Sequence, residues 1–324
     1  MKKYSEYWER FIISISDKVP KKVFIFNLFL FLIRYRRINH MLNFINNIQW
    51  YSKDEIDKYQ LTKLQQLVKY SYENVPYYKD LFDKIEIKPK DIKNLDDFQK
   101  IPFLTKEIIR RNSNNLKSKN VPGFRFQLTA TSGSTGKPLE LFVDKIKYPI
   151  NAFAYYKVFI NRAGCKIYDK SVHLIGTVII PSANKDKFWK HKTMGRRMHL
   201  STLHLKRENI PKYIEKIRKF NPKYILAYPS AIIEIARYIK ENKIKPISSL
   251  KAIMLSGETL HDWQKKLIEE SFQCRIFEFY GLSESTAFAS SCEKSSYFHF
   301  FPEYSFIELI DKNGEPVKEE DEEG

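Results

Sequence analysis

The 324-residue sequence predicts an α/β fold, with mostly parallel sheets flanked by helices and a mainly helical segment in front of them. Three observations carry this expectation. Helical periodicity dominates residues 1–120. From Pro122 onward, short β-rich runs alternate with longer amphipathic segments, and polar residues gather just past those runs, at the edge where open α/β sheets bind ligands. A hydrophobic content of 43%, with 15% aromatic, supplies enough apolar material for one large domain or two modest ones. The expected division is a helical segment over 1–120 and an α/β region over 121–324.

The elements follow in chain order. The most apolar stretch, "VFIFNLFLFLI" at Val23 to Ile33, lies between Lys21, Lys22 and the "RYRR" that ends at Arg37. It is shorter than the roughly 20 residues a spanning helix needs, and no small-residue cleavage site follows it. A buried helix is expected there, and its basic flanks also fit peripheral membrane contact. "DEIDKYQLTKLQQLVKYSYENV" sets Ile56, Leu61, Leu64, Leu67 and Val68 at helical intervals, and the pattern breaks and restarts at Pro76. "SVHLIG" precedes a loop, "PKYILAYPS" leads into "AIIEIARYIKEN", "LKAIMLSGE" leads into "LHDWQKKLIEESF", and "CRIFEFYG" follows. Strand, loop and helix in repetition mark a parallel sheet covered by helices. The acidic "KEEDEEG" at the chain end reads as a solvated turn or frayed tail.

A formal charge of +18 raises the question of nucleic acid. The basic residues are scattered rather than clustered, and no recognition-helix, zinc-finger or RNA-binding signature is found, so a lysine-rich solvated surface is expected and nucleic acid is not a partner. Cys165, Cys274 and Cys292 form no close-spaced pair, which fits a reducing cytoplasm.

The chemistry concentrates in "TATSGSTGKPLEL", Thr129 to Leu141. Gly133 and Gly136 let successive N–H groups turn inward, Thr131, Ser132, Ser134 and Thr135 add hydroxyls, and Lys137 adds a charge. Such a nest suits phosphate oxygens. It is not a Walker loop, because its glycines are too close together and Pro138 stands where a Mg2+-binding Ser or Thr should open a helix. The flanks "FRFQLTA" and "LELFV" read as two strands, which makes this a glycine-rich hairpin-like loop; a plain Ser/Gly turn is the alternative reading.

"TSGSTGKP" resembles the phosphate-binding motif of adenylate-forming enzymes, in which a "YGxTE" or "YGxSE" is expected after a later strand. Tyr280-Gly281-Leu282-Ser283-Glu284 follows "CRIFEF" here. "YENVPYYKDLFDK", "IPFLTKEIIR", "YPSAIIEIARYI", "LSGETL" and "YGLSESTAFASSCEKSSYFHFFPEYSFIELID" are similar to segments of the phenylacetate-coenzyme A ligase family, and more narrowly to its CapK-like branch, associated with capsule polysaccharide biosynthesis. The similarity runs over roughly residues 65 to 324.

The resemblance implies the fold of an adenylate-forming enzyme's N-terminal domain, the cofactors ATP and Mg2+, a small carboxylic acid as substrate, and a thiol such as coenzyme A or another group as acyl acceptor. Residues Thr131 to Lys137 would wrap the ATP phosphates, with Lys137 catalytic. Ser256, Gly257 and Glu258 would line the adenine and acyl-adenylate site through backbone contacts. Tyr280 would pack on the adenine, Gly281 beside it belongs to the same cofactor-binding set, Ser283 would approach the α-phosphate, and Glu284, catalytic with Lys137, would hold Mg2+. A carboxylate attacking the α-phosphorus is an encounter of anions, so positioning and charge neutralisation are the main tasks. The ribose-binding aspartate, hinge and C-terminal lysine of such enzymes cannot be assigned here, so a fragment of a longer protein, or a truncated product with compromised catalysis, is expected; the rival reading is a non-catalytic nucleotide-binding or scaffold protein in polysaccharide assembly.

Other readings stay open at this point. Tyr280 also fits a core aromatic and Glu284 a helix cap. Tyr228, Pro229 and Ser230 fit a strand end with a helix N-cap as well as an acyl pocket. Cys292 and His299, with Cys274 upstream, lack structural zinc spacing and read as core residues; His173, His199 and His204 are no better placed for acid–base work.

Overall fold

The computed structural model describes residues 36–131, 137–176, 188–192 and 195–317. The apolar stretch Val23 to Ile33 and the acidic "KEEDEEG" lie outside the described residues.

Residues 36–48 are helical and bury Leu42, Ile45 and Ile48. Helix α1, Lys53–Asn74, starts on a capping box in which the Ser52 hydroxyl accepts the Glu55 N–H at 3.3 Å and the Glu55 carboxylate accepts the Ser52 N–H at 2.8 Å. Its buried residues are Leu64 and Val68, while Leu67 is exposed, so the inward stripe is narrower than its apolar spacing suggests. Pro76 opens α2, Pro76–Lys84, at the first helical position, where the missing N–H costs nothing. Helix α3, Lys106–Asn112, is capped by the Thr105 hydroxyl. The first strands form a separate antiparallel hairpin, β1 Phe126–Ala130 and β2 Glu140–Asp144, as their sequences predict. Asp144 Oδ1 then accepts the N–H groups of Ile146 and Lys147, which starts α4, Lys147–Arg162.

The remaining strands are β3 Ser171–Leu174, β4 Trp189–Lys192, β5 Arg197–Leu200, β6 Tyr224–Ala227, β7 Ala252–Leu255, β8 Arg275–Gly281, β9 Phe288–Ser290 and β10 His299–Phe300. They form one sheet in the order β10-β9-β8-β7-β6-β3-β5-β4, parallel from β8 to β5 and antiparallel at both edges. From β3 the chain moves outward to β5, then crosses back to β6 and continues through β7 and β8. The direction of travel reverses between β3 and β6, the kind of switch point beside which open α/β sheets form a ligand crevice.

Helices α5 Ile210–Phe220, α6 Pro229–Glu241 and α7 Asp262–Phe272 cover one face, burying Val172, Leu174, Met198, Ile225, Ile253, Leu255 and Ile276. On the other face, Phe159 and Ile160 of α4 pack with Tyr224, Leu226, Met254 and Phe277. Both faces are apolar, so the central strands read as continuous hydrophobic runs. The exception is a polar pair. His173 and His199 face each other across β3 and β5 with ring centroids 5.0 Å apart, both buried. His173 Nε2 lies 3.2 Å from the Ser171 hydroxyl, whereas neither ring nitrogen of His199 has a hydrogen-bond partner. Burial, with Arg197 and Lys192 nearby, lowers His173 to about 3 and His199 to about 4, so both rings are neutral at pH 7. Among the described residues no helix is long and apolar enough to cross a membrane.

Candidate functional site

Parallel strands present their carboxyl ends on one edge, and three of those ends carry the residues singled out from the sequence. After β6 come Tyr228, Pro229 and Ser230; after β7 come Ser256, Gly257 and Glu258; and β8 ends in Tyr280 and Gly281, followed by Ser283 and Glu284. The β7–β8 register pairs Leu255 with Glu278, so the Ser256–Glu258 turn leaves the sheet beside Phe279 and Tyr280.

Tyr228 occupies the switch-point crevice. A Cβ built on Gly176 would lie 3.2 Å from its ring, and one built on Gly257 would lie 2.8 Å away. Gly257 also has φ +86, a left-handed conformation that side chains avoid. Gly257→Ala is therefore expected to cost about 2 kcal/mol from backbone strain and the Tyr228 clash. Urea midpoints check this, and the Tyr228→Ala background should recover the steric part alone.

The Glu258 carboxylate accepts the Ser230 N–H at Oε2 and the Ser230 hydroxyl at Oε1, each at 2.7 Å. Pro229 opens α6, so Tyr228 to Ser230 do form a strand end and helix start. Tyr280 is 44% exposed, with its ring edge-on to Phe298 and Phe300 at 6.5 and 6.4 Å. It is not a core aromatic. Leu282 N–H donates to the Ala287 carbonyl and Ser285 N–H to the Leu282 carbonyl, with Ser285 at φ +57, so Ser283 and Glu284 sit on the tight turn that joins β8 to β9. No helix follows this turn, which removes the helix-cap reading of Glu284.

The glycine-rich loop hangs from the β1–β2 hairpin. Thr131 N–H donates to the Leu139 carbonyl and Leu139 N–H to the Thr131 hydroxyl, both at 3.0 Å, which closes the neck of the loop. Lys137 is exposed, and its carbonyl accepts from Arg110 at 2.8 Å. Ser132, Gly133, Ser134, Thr135 and Gly136 lie outside the described residues.

Buried titratable groups back the edge. Burial raises Glu278, with Glu269 adding to the shift and Lys265 opposing it. Burial pushes Glu303 up to about 7, against the Tyr155 hydroxyl and the Arg162 guanidinium, and its Oε1 makes no hydrogen bond. The Tyr304 hydroxyl is partnered with Ser285 of the motif turn, and its ring packs edge-on against Tyr155 at 4.7 Å. These supports escaped sequence reading, because their sole signal was the apolar run around "FFPEY".

Among the described residues no group of three or more His, Cys, Asp or Glu is arranged to hold a metal. Cys292 Sγ and His299 Nε2 do approach to 3.4 Å, on partly exposed side chains rather than in the core as expected. Glu284 offers one half-buried carboxylate, which fits a Mg2+ ion held mainly by phosphate oxygens and water.

No family profile matches the chain. Curated proteins do. The protein CapK of Staphylococcus aureus is 29% identical over 238 residues, spanning 72% of this chain and 52% of CapK. The phenylacetate-coenzyme A ligase of Escherichia coli K12 is 26% identical over 247 residues, 74% of this chain and 54% of that enzyme. In sequence this chain is thus similar to CapK and to the phenylacetate-coenzyme A ligases. It spans between about half and three-fifths of the length of the curated relatives it matches. The fold is similar to that of a 2-hydroxyisobutyryl-coenzyme A ligase, solved with 2-HIB-AMP and CoA, which superposes with a TM-score of 0.60 at 19% identity, over 82% of this chain and 58% of the ligase.

Proposed function

We propose that this chain is the nucleotide- and acid-binding part of an adenylate-forming acid–coenzyme A ligase. In that reaction a carboxylate attacks the α-phosphorus of ATP and the bond to the leaving pyrophosphate breaks; the thiol of coenzyme A, losing its proton, then attacks the acyl carbon of the acyl-adenylate, and the bond to the leaving AMP breaks. The observation that carries the reading is the convergence of Ser256–Glu258 and Tyr280–Glu284 on adjacent carboxyl ends beside a switch point. Likeness to curated coenzyme A ligases supports it independently.

Each group has a task in this scheme. The Thr131–Lys137 loop supplies N–H, hydroxyl and ammonium donors to phosphate oxygens, with its neck fixed by Thr131 and Leu139. Tyr280 offers an exposed ring to a base. Glu284 would hold Mg2+, which neutralises phosphate charge when bound. The narrower assignment, activation of an acid in surface-polysaccharide assembly, rests on the CapK-like segments.

Calorimetric titration with ATP, with and without Mg2+, tests the reading. The wild-type chain should bind ATP·Mg, and Lys137→Ala combined with Thr135→Ala should weaken binding about tenfold, the scale of one charge-assisted contact. Equal affinity in the variant would remove the loop from the site. Pyrophosphate release across aryl, fatty, hydroxy and amino acids then separates an activating enzyme from a protein that binds the nucleotide and does not react it.

A further inference from the structure

We infer that Glu258 is a positioning residue, clasping the start of α6 so that the backbone of Ser256 and Gly257 is fixed in place before a nucleotide arrives. The inference rests on the nucleotide reading of this edge. Both carboxylate oxygens are engaged by one residue, Oε2 by the Ser230 N–H and Oε1 by the Ser230 hydroxyl, each at 2.7 Å. A carboxylate held at both oxygens has its plane set.

The need for the clasp follows from the helix start. Pro229, in the first turn of α6, has no N–H to donate, and Tyr228 makes no side-chain cap, so an acceptor for the free Ser230 N–H arrives from the loop after β7. A negative charge at this end also suits the helix dipole. Between the two anchors, Gly257 passes under the Tyr228 ring at a distance that excludes any side chain. Tyr228 is itself tied to the neighbouring strand by its N–H to the Leu174 carbonyl at 3.2 Å, and its ring also covers Gly176. The ends of β3, β6 and β7 and the first turn of α6 are thus locked as one unit. Backbone presented from such a unit binds without first being ordered, which is where preorganisation gains affinity.

If Glu258 acts through Ser230, Glu258→Ala loses both bonds, Ser230→Ala loses only the bond from the hydroxyl because the backbone N–H remains, and the double variant should add little to Glu258→Ala. The experiment is a cycle of Glu258→Ala, Ser230→Ala and the double variant, read by ATP·Mg dissociation constants and by urea midpoints without nucleotide. Glu258→Ala should weaken ATP·Mg about three- to tenfold, the scale of a lost cap, Ser230→Ala should weaken it less, and the double variant should be no weaker than Glu258→Ala. Glu258→Gln should keep most of the affinity, because its amide oxygen can accept the N–H while the hydroxyl accepts from its NH2. A Glu258→Ala that binds like wild type, additive losses, or a Glu258→Gln as weak as Glu258→Ala would overturn the inference; the last two would place the carboxylate charge against the ligand. If wild type binds no ATP·Mg, the functional reading fails and the positioning role falls with it.

Discussion

Between pH 6.5 and pH 4 the His173–His199 pair should withdraw on the order of 6 kcal/mol of folding stability. Both histidines have folded pKa values below their ordinary 6.5, at about 3 and about 4, so the unfolded chain binds more protons throughout this window. Their contribution is complete above pH 6.5 and is lost as the pH falls. Glu303 has the opposite sign. Its carboxyl is raised from 4.5 to about 7, so the folded state binds the extra proton, and acidification from pH 7 to pH 4.5 returns on the order of 3 kcal/mol. The wild-type acid limb should therefore be shallower than the histidines alone would make it.

Two variants separate the contributions. His199→Leu removes a buried ring whose nitrogens have no partner, so it should be near neutral at pH 7.5 and should flatten the limb by up to about 1.4 kcal/mol per pH unit between pH 6 and pH 4. Glu303→Gln should raise stability at pH 8 and steepen the loss below pH 7. Urea midpoints at pH 8, 7, 6, 5 and 4 give all three profiles. Parallel profiles for wild type and His199→Leu would show that the pair does not remain neutral in the folded state.

How far the sequence discloses this structure differs from element to element. Strands β3, β6, β7 and β8 are legible because burial on both faces makes them short apolar runs between polar flanks. Strands β4 and β5 are not, since "WKHK" and "RMHL" are rich in charge and imidazole; β5 exists because β3 offers an edge to pair with. The YGLSE turn and the SGE turn are readable as motifs, and their adjacency follows from the parallel order. The bond from Glu258 to Ser230 joins residues 28 positions apart, and no local pattern encodes it. The contact between Cys292 and His299 is likewise made by the antiparallel β9–β10 pairing, which matches Ser290 with His299. Leu67 shows the reverse case: helical spacing marks it as inward, and the helix leaves it facing the groove beside Phe103 and Pro316.

Glu284→Gln should abolish most of the Mg2+-dependent part of ATP affinity, by roughly a hundredfold, while leaving Mg2+-free ATP binding and nucleotide-free stability nearly unchanged. Partners one shell removed from a metal commonly cost about 10- to 100-fold when replaced, so a direct oxygen ligand should reach the upper end of that range. The amide keeps the shape of the carboxylate and loses the charge that a hard cation requires. Stability should hold because Glu284 sits half-buried on a turn whose geometry is set by other atoms: Ser285 at φ +57, the Leu282 carbonyl accepting the Ser285 N–H at 3.0 Å, and the Tyr304 hydroxyl partnering Ser285. The comparison needs four titrations, wild type and variant with and without Mg2+, and melting curves of both proteins without nucleotide. A drop in melting temperature large enough to accompany the affinity loss would make Glu284 a structural residue of the turn. Unchanged Mg2+ dependence at unchanged stability would move the metal to other oxygens and leave Glu284 outside the chemistry.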